Sequence, residues 1–162
     1  MAHHNSPQIP FDKLAQDHWT DQETANARVV VDFFQHLMND HDFAYVQSKF
    51  GDAAYTQHNR GIPNGIKGVV GYVGNLTKRF PEYAYDVKQI TASGETVIVH
   101  SHVTLKAAHR GNDRKGFIIT DTFRLTDGQL SEHWDAIQGI DFMARLVMFV
   151  TGGRVANANP TF

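Results

Sequence analysis

The sequence predicts an α+β domain in which helices cover one face of a curved antiparallel sheet. Three observations predict it. Two stretches in the first half repeat apolar residues at helical spacing, and after Pro81 the pattern changes abruptly to long alternating β-rich runs. Asp127-Gly128, set between two such runs, is a strong two-residue hairpin signal. Helices first and a strand meander afterwards argue against alternating βαβ units, and so against a nucleotide-binding parallel sheet.

Taken in order, residues 1–20 read as a polar arm with one amphipathic turn carrying Phe11, Leu14 and Trp19. Thr20 and Glu23 fit a capping box, a hydroxyl at the cap and a carboxylate three residues on. Behind it Val29, Val30, Phe33, Phe34, Leu37 and Met38 form one wide apolar stripe, which should end near Asn39-Asp40. Asp42 can cap a short second helix ended by Gly51, and Ala54 to Asn59 can be extended. Ile66, Val69, Val70, Val73, Leu76 and Phe80 give another helical stripe, stopped by Pro81. Gly68, Gly71 and Gly74 interrupt it, each costing about 1 kcal/mol against alanine, so a close backbone approach is expected there.

Tyr83, Tyr85 and Val87 then alternate, Ser93-Gly94 marks a turn, and 96–107, 116–126 and 129–138 read as strands. A closing helix is expected from Ile140 to Val150, ending at Gly152-Gly153, with 153–162 as a tail. Residues 21–152 form one domain on this reading.

Net charge is -2, with 41% hydrophobic and 20% charged residues, so nothing points to a nucleic-acid partner or a polybasic membrane surface. The absence of cysteine excludes disulfides, thiolate metal sites and a cysteine nucleophile. No stretch approaches the ~18 apolar residues that span a bilayer, and the start lacks the pattern of a secretory signal. The cytoplasm is the expected location.

The Val-Val-Asp-Phe-Phe stripe, Tyr55-Thr56-Gln57-His58-Asn59, Gly65, Asp121-Thr122-Phe123-Arg124-Leu125 and the run Asp127 to Asp135 together resemble the SnoaL-like polyketide cyclases. These belong to the wider nuclear-transport-factor-2-like superfamily, which also contains ketosteroid isomerase. The resemblance covers about residues 22–138. It implies a cone-shaped sheet around a pocket open at one end, and a homodimer formed through the outer sheet face. It also implies acid/base chemistry without a cofactor on a small carbonyl compound, as an aldol-type cyclase, isomerase or lyase. A non-catalytic protein binding a small molecule in the same pocket is the alternative, because a shared fold does not fix a reaction.

The resemblance places Asp121 where a neutral carboxyl would donate a hydrogen bond to a developing oxyanion, as in ketosteroid isomerase. It offers Asp135 or His58 as the base, with His102 or Trp134 assisting, and Tyr55, Asn59, His100 and Phe123 as further pocket residues. A histidine suits the base role because it titrates near neutrality. His100 and His102 share a strand face, and with His58 or His133 they would suit a divalent ion if they converged. An uninterrupted hairpin pairs Asp121 with Trp134 and puts His133 and Asp135 on the opposite face. Both aspartates reach one pocket only if a bulge shifts the register.

Overall fold

A computed structural model describes residues 6–140 together with 142, 146 and 150. A first turn, α1 (Phe11–Leu14), leads to α2 (Asp21–Phe34), which runs into a π-helical segment at Gln35–Asn39. After these come α3 (Phe43–Phe50), β1 (Thr56–Gln57) and α4 (Gly65–Arg79). Four strands complete the described part: β2 (Ala84–Ser93), β3 (Thr96–Thr104), β4 (Phe117–Thr126) and β5 (Gln129–Gly139). The sheet order is β1-β5-β4-β3-β2, antiparallel except for the parallel pairing of β1 with β5. Of the expected closing helix, Ile140 is not helical and donates its N–H to the Gly116 carbonyl; Phe142, Leu146 and Val150 are helical, and the rest lies outside the described residues. Among the described residues no helix is long and apolar enough to cross a membrane.

The helix boundaries follow local chemistry. Thr20 and Glu23 make the reciprocal capping box, and the Asp42 carboxylate accepts from the Tyr45 N–H to start α3. The helices lay Val30, Phe33, Phe34, Leu37, Val46, Ile66, Val69 and Val73 on the inner face of the sheet, all nearly inaccessible to solvent. Phe33 and Phe34 each meet the Phe123 ring edge-on, with centroids 6.0 and 5.5 Å away. Only one of the three helical glycines meets backbone: a Cβ on Gly68 would lie 2.4 Å from the Pro63 carbonyl oxygen. Gly71 faces open space, and Gly74 sits against the Phe43 ring.

The arm is tied down more firmly than its polar composition suggests. Ile9 N donates to Gln35 Oε1 and Asn39 Nδ2 donates to the Pro7 carbonyl, at 3.0 and 2.9 Å. Asn39 is buried and also exchanges two hydrogen bonds with the Tyr85 backbone, so the π segment joins the arm, the helical layer and β2.

The turn between β4 and β5 is Asp127-Gly128, both with positive φ (50° and 73°), as a twisted two-residue hairpin requires. Pairing begins as expected, Thr126 with Gln129 and Leu125 with Leu130. It then slips by one residue, so that Arg124 faces Glu132 and Ser131 is extra. The Ser131 hydroxyl donates to the Arg124 carbonyl at 3.1 Å across the bulge. Beyond it Asp121 pairs with Asp135, Thr122 with Trp134 and Phe123 with His133. This corrects the uninterrupted register.

Candidate functional site

A cavity of about 280 Å³ lies between the inner sheet face and the helices. Its walls are mostly apolar and aromatic, with Phe33, Val69, Leu76, Phe80, Val103, Phe117 and Ile119 among them, and half-exposed Tyr72 and Ile137 also line it. Against this background stands one polar wall: Tyr55, Gln57, Asn59, Asp121, His133 and Asp135.

Two alternations build that wall. On β5, the bulge turns His133 and Asp135 inward and Glu132 and Trp134 outward. On the neighbouring β1 segment, parallel pairing sets Thr56 beside Glu132 and Gln57 beside His133, and the His58 N–H continues it by donating to the His133 carbonyl at 2.9 Å. Tyr55, Gln57 and Asn59 therefore share the inner face, while Thr56 and His58 share the outer one.

Within the wall the hydrogen bonds form a directed chain. The backbone N–H of Asn59 donates to Gln57 Oε1 at 2.9 Å, which fixes the amide with its oxygen toward His133. His133 Nδ1 lies 3.1 Å from that oxygen and must donate to it, so Nδ1 carries a proton. Nε2 then faces Asp121 Oδ1 at 3.0 Å, and a single proton serves that contact, held on either group. Asp121 is fully buried, and desolvation raises its pKa above the ordinary carboxylate value, opposed by the hydrogen bond and charge of His133. His133 is held between Phe123, with ring centroids 4.5 Å apart, and Tyr55, at 6.3 Å. Asp135 receives the Asn59 side-chain amide on both oxygens at 2.7 Å.

Three buried polar atoms on this wall have no hydrogen-bond partner among the described residues: Tyr55 Oη, Gln57 Nε2 and Asp121 Oδ2. Burial first, then the fields of Asp121 and Asp135, push the Tyr55 pKa well up, with the neighbouring Gln57 amide opposing them. Tyr55 is therefore a protonated hydroxyl at any working pH. Asp121, His133 and Asp135 each offer a donor atom within 4.8 Å of the others, a set that could hold a divalent cation.

Of the residues singled out from the sequence, Asp121, Asp135, Tyr55, Asn59 and Phe123 meet at this cavity. His58, Trp134, His100 and His102 do not. His58 stacks on Trp134 outside the sheet, centroids 4.4 Å apart, and pairs with Glu132 at 3.0 Å. On β3 the cavity side belongs to Val103, so His100 and His102 point the other way. His100 Nδ1 meets Thr120 Oγ1 at 3.2 Å, and His102 Nε2 donates to the Lys115 carbonyl at 2.7 Å. The expected convergence of these histidines with His58 or His133 is not found. Ile137, which the uninterrupted register would put on the outer face with Asp135, lines the cavity.

His133 and Gln57 were not picked out as pocket residues. The period-two rule applied to Tyr55-x-Gln57-x-Asn59 would have found Gln57 and excluded His58. Nothing in the sequence marks Ser131 as a bulge, and without the bulge His133 cannot be assigned.

A family model described as a SnoaL-like domain matches residues 30–133. No curated protein sequence matches the chain. Among solved structures, a proposed polyketide cyclase of Bacillus cereus ATCC 10987 superposes with a TM-score of 0.62 at 16% identity, covering 82% of this chain and 87% of its own. A proposed SnoaL-like polyketide cyclase of Jannaschia sp. CCS1 gives 0.59 at 18% identity, covering 89% and 100%. An LEH-like epoxide hydrolase of M. tuberculosis gives 0.55 at 21%, covering 82% and 99%. At these identities the likeness carries the fold.

Proposed function

The chain belongs to the SnoaL-like domain family, and on that premise we propose that it is a cofactor-independent acid/base enzyme acting on a small oxygen-bearing compound in the apolar cavity. One observation carries this reading. Asp121 and Asp135 stand directly opposite each other in the β4–β5 register, with His133 between Asp121 and Gln57, on a polar stretch of a mostly apolar lining.

In this reading Asp135 is the base. Its carboxylate is oriented by Asn59 and no cation among the described residues pairs with it, so it can take a proton from a carbon next to a carbonyl. The Asp121–His133 pair keeps a second proton in reserve at Nε2 and Oδ1 and can return one to the product. The unattached Asp121 donor inferred from the resemblance is replaced by this shared proton. Apolar walls exclude water and strengthen each of these contacts. The same groups could take a proton from a water attacking an epoxide, the chemistry named for the M. tuberculosis neighbour.

The test is deuterium exchange by NMR at the α-carbons of a panel of ketones and 1,3-diketones, beside an epoxide panel. Exchange or hydrolysis should fall at least about 100-fold in Asp135→Asn and in Asp121→Asn. Binding without either reaction across the panels would make the protein a small-molecule carrier instead. We also propose a homodimer through the outer sheet face, where Ile98, Ile118, Thr120 and Thr122 are half-buried and uncharged. Light scattering should give twice the 18.2 kDa chain mass.

A further inference from the structure

Two of the unpartnered atoms on the polar wall are hydrogen-bond donors, and their placement is dictated by their neighbours. Gln57 Oε1 is already occupied by the Asn59 N–H and the His133 Nδ1–H, so the amide cannot flip without losing both. Its nitrogen is consequently buried beside the Tyr55 hydroxyl, with no acceptor in good hydrogen-bonding geometry among the described residues. The Tyr55 hydroxyl, two residues earlier on the same face, is also buried with no acceptor. Asn59, next on that face, has no such vacancy: its amide nitrogen serves Asp135 and its oxygen takes the Gly61 N–H. A buried donor without an acceptor is uncommon in folded proteins, and two neighbouring ones on a cavity wall mark the place for an acceptor atom of the ligand.

The charges around the cavity limit what can bring that acceptor. No lysine or arginine is among the described residues that line it, whereas Asp121 and Asp135 are. A ligand carboxylate would be buried against two acidic side chains without a counter-ion. Tyr55 and Gln57 are themselves uncharged at working pH, so they suit a neutral oxygen. The volume of about 280 Å³ lies at the small end of ligand cavities, with room for about ten to fifteen non-hydrogen atoms.

We propose that the Tyr55 hydroxyl and the Gln57 amide form a two-donor cradle for one uncharged oxygen, so that the cavity selects a neutral ketone-type compound of one or two rings and rejects the matching carboxylate. This rests on the cavity being the functional site, as read above. It adds the specificity residues and the substrate class. As a proton leaves the α-carbon, negative charge grows on the cradled oxygen and both donors bind it more strongly.

The experiment compares three probes of closely matched shape, 2-acetylnaphthalene, 2-isopropenylnaphthalene and 2-naphthoate, by NMR-detected titration of the full chain at pH 7.5. The ketone should bind about tenfold more tightly than either of the others. Gln57→Met and Tyr55→Phe should each cut the ketone-to-hydrocarbon ratio several-fold, and the double variant should bring it near one. Unchanged hydrocarbon binding in these variants would show that the cavity is still folded. Naphthoate binding as tightly as the ketone, a ratio unchanged in the double variant, or no binding of any probe would each overturn the proposal. Catalysis is read separately: ketone preference without α-exchange leaves the cradle standing and removes the acid/base reading, and exchange without ketone preference does the reverse.

Discussion

Along β5, Glu132 and Trp134 point out of the sheet while His133 and Asp135 point into the cavity, and the two sets follow opposite electrostatics. Outside, Glu132 is joined by His58 and Arg124, and His58 stacks on Trp134 with the Arg124 guanidinium 5.5 Å from the indole. The His58 hydrogen bond and then the Arg124 charge lower the Glu132 pKa. Inside, Asp121 meets His133 but no lysine or arginine among the described residues, and burial raises its pKa against the pull of His133. Residue types that look alike in the sequence are thus a solvated ion-pair cluster on one face and a desolvated proton pair on the other. Taking Ser131 up in a bulge, instead of pairing it with Arg124, sets which side chains face the cavity.

Removing that residue tests what the bulge itself contributes. Deleting Ser131 leaves Leu130 next to Glu132, so the ladder runs unbroken with Arg124 still opposite Glu132 and with His133 and Asp135 still facing the cavity. Only the bulge's local twist is lost, so ligand binding should persist and Tm should fall by no more than about 5 °C. Thermal unfolding followed by circular dichroism would report it. A Ser131 deletion that keeps its Tm but loses ligand binding would show that the bulge's twist, and not the in/out alternation alone, shapes the site. Ser131→Ala, which keeps the extra residue and loses only its hydroxyl bonds, should cost no more than about 3 °C.

The largest effect is expected from separating charge from shape inside the cavity. Asp135→Asn keeps the volume and removes the base, so exchange should drop at least about 100-fold with little change in ketone affinity. An equal loss of affinity and rate would instead assign Asp135 to ligand binding alone.

The third prediction uses the opposite signs of the two acids. Asp121 has a folded pKa above its unfolded value, so its ionisation weakens the fold as pH rises above about 4. Glu132 has a folded pKa below its unfolded value, so its favourable contribution is present above about pH 4.5 and is lost as pH falls. Asp121→Asn should therefore raise Tm by about 3 °C at pH 8, and this gain should close toward pH 4. Glu132→Gln should do the reverse, lowering Tm at pH 8 and converging with the parent in acid. Parallel melting curves at pH 4, 6 and 8 check both. If Asp121→Asn is the less stable protein at pH 8, the buried pair is a net stabiliser and not a functional strain.

Much of this was legible in the chain. The capping box at Thr20, the stripe from Val30 to Met38, the stop at Pro81 and the Asp127-Gly128 turn are local signals, and each element begins or ends where its chemistry says. The π segment was not legible, because Gln35 to Asn39 continue the same apolar stripe and only the Asn39 bonds to Pro7 and Tyr85 distinguish it. At the site, Asp121 and Phe123 followed from alternation along β4. His133 did not, because a bulge arises from the competition between two ladder registers and leaves no residue signature at Ser131. His58 was misplaced for a different reason: its neutral-range chemistry outweighed the simpler fact that it shares parity with Thr56 and not with Tyr55.

His58 accordingly supplies the smallest expected effect. A pocket base would be worth a factor of about 100 or more in rate, whereas a surface histidine stacked on Trp134 contributes only through an exposed ion pair and a ring contact. His58→Ala leaves Glu132 its Arg124 partner, so the charge is not stranded. The exposed setting screens whatever Coulomb energy is lost. Activity should stay within about twofold of the parent, and Tm should fall by no more than about 3 °C, less at high salt. If the outer face packs on a second copy, the same variant should weaken dimerisation while the α-exchange rate per chain is unchanged, since Tyr55, Gln57 and Asn59 stay on the other side of the strand. A large fall in exchange without a change in oligomeric state would return His58 to the reaction and require the β1 segment to turn over in solution.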